Sequence, residues 1–481
     1  MGSEKLAGKW WTPGLTGPVI AAAAVRLAFL ALVLTRKGIT GLISSDTASY
    51  LDPGRNLLLH GRFISNGLPE INRTPGYPLF LAITSLPGPV FASLAQVVLS
   101  VFSVVLVWRL ARVVFADDRI ALGAAWIFAF EPLSIILSFD LLSDTLFLTL
   151  LLLSLERLAT FLRGHSLRTL VVAGLWLAAA TFVRPMIYYL PFALALGLMS
   201  VLARAPRLCW KAPAVLLVSV LPWLGAWQIR NWVETGYNGF SAIAPIDLYF
   251  YNAAEVAARA QHRPFKEIQT EFGNESEQAY LARHPEQAGW SQAQRVSFMG
   301  SEGARILRRY PGIFLRMHLE GSMRVMFIPA TLDWMEMLSD DNKVSIRMQA
   351  EAHDVGPVET ALRLFRTYPW QSAGLVVLEI VLLGLYLLAV RGLLRRRAPV
   401  AILCLLLGVS LYFLAVSGGA EGGGRYRLPI MPLVCMLAAA GALPKMAGAA
   451  ADSKNAGELP HTPAAKATKT LGKQNENWML G

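Results

Sequence analysis

SSDTASYLDPGRNLLLHGRFISNGLPEINRTPGYPLF, residues 44–80, is the stretch from which the chain is best interpreted. It follows directly on the first long apolar segment, yet it is polar and carries one acid, Asp46, close to the end of that segment. It closes with the rigid turn Arg73-Thr-Pro-Gly-Tyr-Pro78, which leads back into apolar sequence. An acid and an arginine on one loop between two membrane segments add little to stability in a bilayer. The stretch therefore indicates a reaction site at the membrane face.

The composition favours a membrane protein over a soluble or disordered one. The chain has 481 residues, of which 54% are hydrophobic and 16% are charged, and long apolar runs with few charges are typical of transmembrane helices. The cysteines Cys209, Cys404 and Cys435 lie in or beside apolar runs without the spacing of a metal site. We therefore expect neither a disulfide framework nor a bound metal.

The apolar pattern predicts an all-α polytopic membrane protein with about ten transmembrane helices. Each segment is close to the roughly 20 residues that cross a hydrocarbon core, and backbone groups in lipid require helices. The predicted segments are 18–35, 87–108, 119–138, 140–160, 168–183, 185–203, 212–232, 370–390, 398–416 and 427–444.

Basic residues in the short loops set the expected orientation. Arg109, Arg112 and Arg119 lie at one such loop, and Arg391 and Arg395 lie at another. With ten spans these loops all face the same side, which the positive-inside rule assigns to the cytoplasm together with both termini. This distribution accounts for much of the net charge of +12 without a nucleic-acid partner.

Two long loops then face the extracytoplasmic side. In the second loop, residues 303–329 alternate apolar and basic residues, which predicts an interfacial amphipathic helix or two helices broken at Pro311. The first span is expected to be a retained anchor in the cell (inner) membrane. The expected organisation is a cytoplasmic N-terminus (1–17), transmembrane helices one to seven (18–232) with the first outer loop (36–86), the second outer loop (233–369), transmembrane helices eight to ten (370–444) and a disordered cytoplasmic tail (445–481).

Asp46 is the first candidate for chemistry. A carboxylate just outside a membrane helix can act as a general base toward an acceptor hydroxyl or amine. It can equally be an N-cap, because residues 44–46 precede the helix-like run TASYLDPG. Asp52 is a weaker rival base, because Pro53 follows it and such a pair is typical of a turn.

Arg73 is a candidate phosphate ligand, since its guanidinium can hold phosphate oxygens through forked hydrogen bonds. The alternative is an interfacial anchor beside Tyr77, which we also include among the candidate substrate-binding residues. Deeper in the membrane, Glu131 and Arg26 lie near the middle of their spans, and a buried carboxylate demands a partner. We expect these two residues to be in contact, directly or through water, in a structural role.

Asp140 and Asp144 are four residues apart, which predicts that they share one helix face on the outer side. They can serve as an acid–base or metal pair, or simply as acids that favour a helix start. Arg184, at the next outer turn, is placed to balance them and is a further candidate substrate-binding residue.

The segment Glu421-Gly-Gly-Gly-Arg425-Tyr426-Arg427 opens the last span on the same side. Glycines allow a backbone to approach a ligand closely, and the two arginines flanking a tyrosine suit a phosphate group. The alternative is a flexible loop with an aromatic anchor. Arg230, at the end of the seventh span, adds another positive group. No nucleotide-binding loop, serine-hydrolase elbow or zinc-protease signature is present in the sequence.

The order of these motifs resembles a known family. An acid follows the first span, and then come RTPGYPLFLA, EPLSIILSFDLLSDTLF, FVRP, PW and IRNW, and GRYRLPIMP before the last span. Over residues 18–440 this resembles the bacterial branch of the protein O-mannosyltransferase superfamily, which includes the aminoarabinose transferase that acts on lipid A. The resemblance implies a membrane glycosyltransferase of the C-type fold.

The resemblance also implies a chemistry. The donor is a polyprenyl-phosphate-linked sugar, transfer occurs on the extracytoplasmic face with inversion, and no cofactor is expected. Asp46 matches the first-loop acid of the family and becomes the candidate base, and Arg73, Arg425 and Arg427 become candidate phosphate ligands. The family often has a second acid after the first, whereas Thr47 stands here. The acceptor remains open between a lipid, a glycan and a protein.

A second interpretation is a transporter or flippase of a lipid-linked or anionic molecule. The outer arginines and the buried Arg26 and Glu131 could line its path. Such proteins usually consist of repeated halves, and no repeat is evident in the sequence. The long loops on one side favour an enzyme.

Overall fold

The structure is a computed structural model that describes residues 10–44, 46–328, 357–395 and 397–444. Residues up to Leu443 form one compact unit, and nearly all of the remainder, including the predicted tail, lies outside the described residues. Helices dominate the described part, and the strands Ile64–Ser65 (β1) and Leu68–Pro69 (β2) form a short antiparallel hairpin.

The N-terminal half contains the apolar helices that the sequence predicts, together with short helices in the first loop. The helices are α1 (Thr16–Lys37), α2 (Thr47–His60), α3 (Gly76–Thr84), α4 (Pro89–Phe115), α5 (Asp118–Ala129), α6 (Pro132–Ile136), α7 (Asp144–Gly164), α8 (Leu167–Val183), α9 (Leu190–Val201) and α10 (Pro206–Thr235).

The C-terminal half begins with short helices over the second loop and ends with three apolar helices. The helices are α11 (Ile243–Asp247), α12 (Ala254–Gln261), α13 (Phe265–Phe272), α14 (Glu277–Arg283), α15 (Gln292–Arg309), α16 (Pro311–Phe327), α17 (Pro357–Thr367), α18 (Pro369–Leu394), α19 (Val400–Ser417) and α20 (Met431–Ala442). A π-helical turn, Leu248–Ala253, joins α11 to α12.

These helices confirm the all-α, multi-pass membrane fold. Six helical segments among the described residues are long and apolar enough to cross a bilayer, and three shorter apolar helices accompany them. A helix covers each of the ten predicted segments, although α5 and α6 divide the third. The count of ten crossings stays a prediction, because the shorter helices do not span a bilayer by length alone.

The break in the third predicted span has a local cause. Pro132 begins α6, and the Glu131 carboxylate caps that helix by accepting hydrogen bonds from the backbone N–H groups of Leu133 at 3.2 Å and Ser134 at 2.6 Å. Proline at the first turn and an acid at the N-cap both favour a new helix start. The chain therefore begins a second short helix instead of continuing α5.

The predicted direct contact between Arg26 and Glu131 is wrong. Arg26, which is fully buried, donates hydrogen bonds to the Ala129 carbonyl at 2.9 Å, to Ser134 Oγ at 2.9 Å and to Ser100 Oγ at 2.7 Å. The helix break leaves a carbonyl free to accept from the arginine. It also leaves backbone N–H groups free to donate to the carboxylate. Ser134 thus links the two charges in place of a direct ion pair.

The two outer loops pack on each other. The Ala242 N–H donates to the Ile71 carbonyl at 2.8 Å, and the two side chains share a small apolar cluster with Tyr237, Ala293 and Val296. This seam places the end of the first loop beside α11, and hence beside Asp247.

Two glycines allow close backbone approaches near the turns that carry several of the predicted site residues. A Cβ at Gly76, the first residue of α3, would lie 2.6 Å from the Phe182 carbonyl oxygen near the end of α8. A Cβ at Gly321 of α16 would lie 2.3 Å from the backbone of Gly419. Side chains at either position would separate the turns that carry Arg73, Arg184 and Arg425.

Candidate active site

Asp46 stands at the first turn of α2, in the N-cap position, but its carboxylate makes no capping hydrogen bond. Its Oδ1 instead accepts from Arg73 Nη2 at 3.0 Å. The Asp46 side chain is 38% exposed and that of Arg73 is 18% exposed. The carboxylate is therefore oriented by an arginine while one side of it remains open to an incoming molecule.

Arg73 is held on every side of its guanidinium. Nε donates to Ser49 Oγ at 3.1 Å, Nη1 donates to the Tyr50 hydroxyl at 3.0 Å, and Nη2 reaches Asp46. The guanidinium also lies 4.3 Å from the centre of the Tyr50 ring. With its donors engaged in this way, Arg73 is better suited to fix the position of Asp46 than to chelate a phosphate.

Asp144 forms the buried part of the site. It begins α7, is 1% exposed, and pairs with Arg184 Nη1 and, at 3.1 Å, with Arg425 Nε. Asp140 does not share its helix face, because Asp140 lies in the turn that precedes α7. The prediction of an acid pair on one helix face is therefore wrong, and Asp144 is instead paired with two arginines.

Arg425 connects the buried and exposed acids. Its Nη1 lies 3.9 Å from Asp46 Oδ2, while its Nε is held by Asp144. The guanidiniums of Arg184 and Arg425 lie 5.6 Å and 6.0 Å from the centre of the Tyr426 ring. We call Asp46, Arg73, Asp144, Arg184 and Arg425 the charged cluster.

Tyr77 lies behind the charged cluster. It is fully buried, its hydroxyl donates to Gln96 Oε1 at 2.8 Å, and its ring packs edge-on against Tyr50 with centroids 4.9 Å apart. The structure thus gives Tyr77 a supporting position beneath Arg73 and not an accessible one.

Arg230 lies apart from the charged cluster. Its guanidinium donates to the carbonyls of Glu70 at 2.8 Å and Phe63 at 2.7 Å, which flank the β1–β2 hairpin. This ties the end of α10 to the first outer loop. Because its donors are engaged at the hairpin, Arg230 does not contact Asp46.

Arg427 also turns away from the charged cluster. It is 3% exposed, and its Nη1 donates to the carbonyls of Val325 at 3.2 Å, Met326 at 3.0 Å and Ile328 at 3.0 Å. These are the last carbonyls of α16 and the residue after it, where a cation satisfies groups that lack a helical partner. Arg425 and Arg427 are only two positions apart, yet they serve different parts of the molecule.

Sequence reasoning missed two acids, Asp247 and Glu421. Desolvation raises the pKa of Asp247 to about 7, with Arg73 lowering it and Asp46 raising it. Desolvation also raises the pKa of Glu421 to about 8, with the carboxylates of Asp247 and Asp46 adding to the shift. Both acids therefore lie within electrostatic range of Asp46.

The sequence contained a motif that could have drawn attention to one of these acids, Glu421. Glu421 opens the glycine-rich motif, but only its arginines and tyrosine were assigned a role. Asp247 is a single acid in the otherwise apolar run SAIAPIDLYFY, which gives no spacing to interpret. Within the described ranges, no group of three or more His, Cys, Asp or Glu residues is arranged to hold a metal ion.

The fold and the site define a multi-pass membrane protein with paired acids and arginines at one end of its helices. Residues 77–227 match the family model described as dolichyl-phosphate-mannose-protein mannosyltransferase. Over these residues the match confirms the predicted resemblance to this family of membrane glycosyltransferases. The matched range includes Asp144 and Arg184 and excludes Asp46, Arg73 and Arg425.

Solved structures that resemble this chain include an oligosaccharyltransferase and ArnT. The apo oligosaccharyltransferase of Archaeoglobus fulgidus is 13% identical with a TM-score of 0.46, and the match covers 89% of this chain and 50% of that one. ArnT from Cupriavidus metallidurans in the apo state is 16% identical with a TM-score of 0.37, covering 89% and 77%. ArnT bound to undecaprenyl phosphate is 15% identical with a TM-score of 0.38, covering 89% and 78%.

The chain thus spans about half the length of the archaeal oligosaccharyltransferase. No curated protein sequence matches the chain.

Proposed function

We propose that the protein is a C-type membrane glycosyltransferase. It transfers a sugar, with inversion, from a polyprenyl-phosphate carrier to a lipid, glycan or protein acceptor on the extracytoplasmic face. The family match supports the donor, because the family is described by a sugar linked to dolichyl phosphate, which is a polyprenyl phosphate. The charged cluster supports the site, since it combines an accessible carboxylate with arginines.

The observation that carries the proposal is the bridge made by Arg425. One edge of its guanidinium is fixed by Asp144 at 3.1 Å, and the other lies 3.9 Å from Asp46, beyond hydrogen-bond length. That edge has donors to offer a phosphate oxygen beside the candidate base. Arg425, anchored but incompletely engaged, is thus the best candidate for the phosphate ligand.

Burial decides which acid acts as the base. Asp144 is 1% exposed and bound by two arginines, so an acceptor hydroxyl has no access to it. Asp46 is 38% exposed and is oriented by Arg73. A general base must lie within hydrogen-bond reach of the proton that it removes, which favours Asp46.

The reaction follows from these positions. Asp46 takes the proton of the acceptor hydroxyl as its oxygen bonds to the anomeric carbon of the sugar. The bond between that carbon and the phosphate oxygen breaks on the opposite side, and the polyprenyl phosphate leaves with the electron pair. Arg425 stabilises the negative charge that develops on the leaving phosphate.

The test compares two acids on the same helix. Asp46→Asn should lower transfer by at least about 100-fold, within the range by which general bases accelerate reactions. Asp52→Asn should stay near wild type, because Asp52 is exposed and accepts from Ser65 Oγ at 2.8 Å, at the hairpin. The purified protein receives a panel of tritiated undecaprenyl-phosphate sugars with envelope vesicles from its host as the source of acceptors, and labelled product is measured.

Full transfer by Asp46→Asn would remove Asp46 from the mechanism. Movement of the labelled lipid across vesicles without product formation would favour a transporter or flippase.

A further inference from the structure

A separate cavity of about 310 Å³ lies in the second outer loop, next to the charged cluster. Helices α14 and α15, the π-helical turn and the end of the β1–β2 hairpin surround it. Its volume is at the lower end of the range of roughly 300–1,000 Å³ that is typical of ligand sites. It therefore has room for a small ring-shaped group but not for a long chain.

The walls combine aromatic and amide side chains. Phe250 and Tyr280 are both buried and pack edge-on with centroids 6.1 Å apart, and Val296 and Met299 add apolar surface. The uncharged polar groups on the wall are Asn72, Asn274, Ser276 and Gln292. Aromatic surface with a few convergent polar groups is typical of a small-molecule site.

One of these polar groups lacks a partner. Asn72 Oδ1 is buried and accepts no hydrogen bond from any described residue. A buried acceptor without a partner costs free energy, which a ligand that donates a hydrogen bond would recover. Asn72 on the cavity wall therefore keeps an unused acceptor, which a rotation of its side chain toward the cavity would offer to the hydroxyl or amide hydrogens of a ligand.

The charges on the wall cancel each other. Arg295 Nη2 binds Glu277 Oε1 at 2.9 Å, between α15 and α14. The pair leaves no net charge to attract an anionic or cationic group. The ligand is therefore uncharged where it enters the cavity.

The lining of the cavity is continuous in sequence with Arg73 of the charged cluster and with Asp247. Asn72 lines the cavity, and the next residue, Arg73, binds Asp46. Ile246 lines the cavity, and the next residue, Asp247, is within electrostatic range of Asp46 and Arg73. The cavity is thus adjacent to the candidate base without sharing its charged side chains.

We propose that this cavity is an acceptor subsite that binds an uncharged saccharide unit. The inference rests on the proposed function and makes it more specific: the acceptor is a glycan, or a glycan-bearing lipid, whose ring occupies the cavity near Asp46. Ring faces pack on Phe250 and Tyr280, and hydroxyl or acetamido groups bond to Asn72 and Gln292.

The experiment uses the full chain in lipid nanodiscs and measures binding, so that it does not depend on transfer. The probes are N,N′-diacetylchitobiose for a saccharide, an Ala-Ser-Ala peptide for a protein acceptor, and undecaprenyl phosphate for the donor carrier. Gln292→Trp fills the cavity from its wall. The matched control is Gln278→Trp, an exposed residue of α14 that does not line the cavity.

We expect Gln292→Trp to weaken disaccharide binding at least tenfold, while Gln278→Trp and wild type bind equally. Undecaprenyl phosphate should bind all three within twofold. Asn72→Leu, whose side chain has the same number of heavy atoms and a similar branched shape, gives a second test in case the tryptophan prevents folding, and it should also weaken binding of the disaccharide.

Equal disaccharide binding by wild type and both cavity variants, or no binding at all, overturns the proposal. So does a response confined to the peptide. The two proposals also fail separately. A wild-type protein that binds the disaccharide but transfers no sugar contradicts the proposed function, whereas sugar transfer together with unaltered binding in Gln292→Trp contradicts the subsite.

Discussion

Replacing Asp144 with asparagine should destabilise the protein strongly, because its carboxylate pairs with both Arg184 and Arg425. The side chain is 1% exposed, so water cannot replace the lost charge. Removing one member of a buried ion pair costs about 3–5 kcal/mol, since the remaining charges stay buried. We expect Asp144→Asn to lower the free energy of unfolding by about this amount.

Asp118 provides the matched control. It too is the first residue of a helix, and its Oδ1 accepts from Arg112 Nε at 2.6 Å, but it is 63% exposed. Both acids thus make close ion pairs with arginines, and they differ mainly in burial. An exposed pair is nevertheless worth no more than about 1 kcal/mol, since solvent screens it.

The two Asp→Asn variants should therefore differ by at least about 2 kcal/mol in equilibrium unfolding in mixed micelles. The donor affinity of the folded Asp144→Asn protein should also fall, because Arg425 loses its anchor. An equal or larger cost for Asp118→Asn would refute the argument that burial, and not distance, sets the strength of these pairs.

The remaining predictions concern pH and the paired arginines. Below about pH 6 Asp247 and Glu421 are neutral, and above about pH 9 both are ionised, given pKa values of about 7 and 8. Ionisation of these two acids adds two negative charges near the charged cluster, which itself has three arginines and two aspartates. The affinity for the anionic donor should therefore fall as pH rises through this window. The double variant Asp247→Asn/Glu421→Gln should flatten that dependence in binding titrations with a polyprenyl-phosphate sugar. Arg427→Met should lower the free energy of unfolding by about 3 kcal/mol, given the worth of charged hydrogen bonds, and leave the Kd for the donor unchanged. Arg425→Met should instead weaken binding of the donor. Weaker donor binding by Arg427→Met would contradict the structural role of Arg427.

The sequence was sufficient to locate the apolar helices, because the need to satisfy backbone groups in lipid leaves few alternatives to a helix. It was less informative where a helix is interrupted. Glu131 was expected to need a buried arginine, but Pro132 starts a new helix whose N–H groups bind the carboxylate. A local backbone partner was available that the spacing of charges does not reveal.

The candidate site shows a similar limit. The arginines of the glycine-rich motif were predicted together, but Arg425 turns toward Asp144 and Arg427 toward the end of α16. In a short 3₁₀ turn, residues two apart point in different directions, so composition alone does not tell which one lines a site. Asp247 could not be assigned either, because the seam between the two outer loops that positions it is a tertiary contact.

On the proposed function, that seam brings the candidate base and the acceptor subsite onto neighbouring residues. The backbone bond between Ala242 and Ile71 fixes the second loop against the first at the residue next to Asn72. Arg73 follows immediately and holds Asp46. A ligand that presses on the cavity wall at Asn72 therefore acts on a segment that also positions the candidate base. The acceptor subsite and the residue that orients the candidate base are thus carried by one short segment, which the seam holds in place.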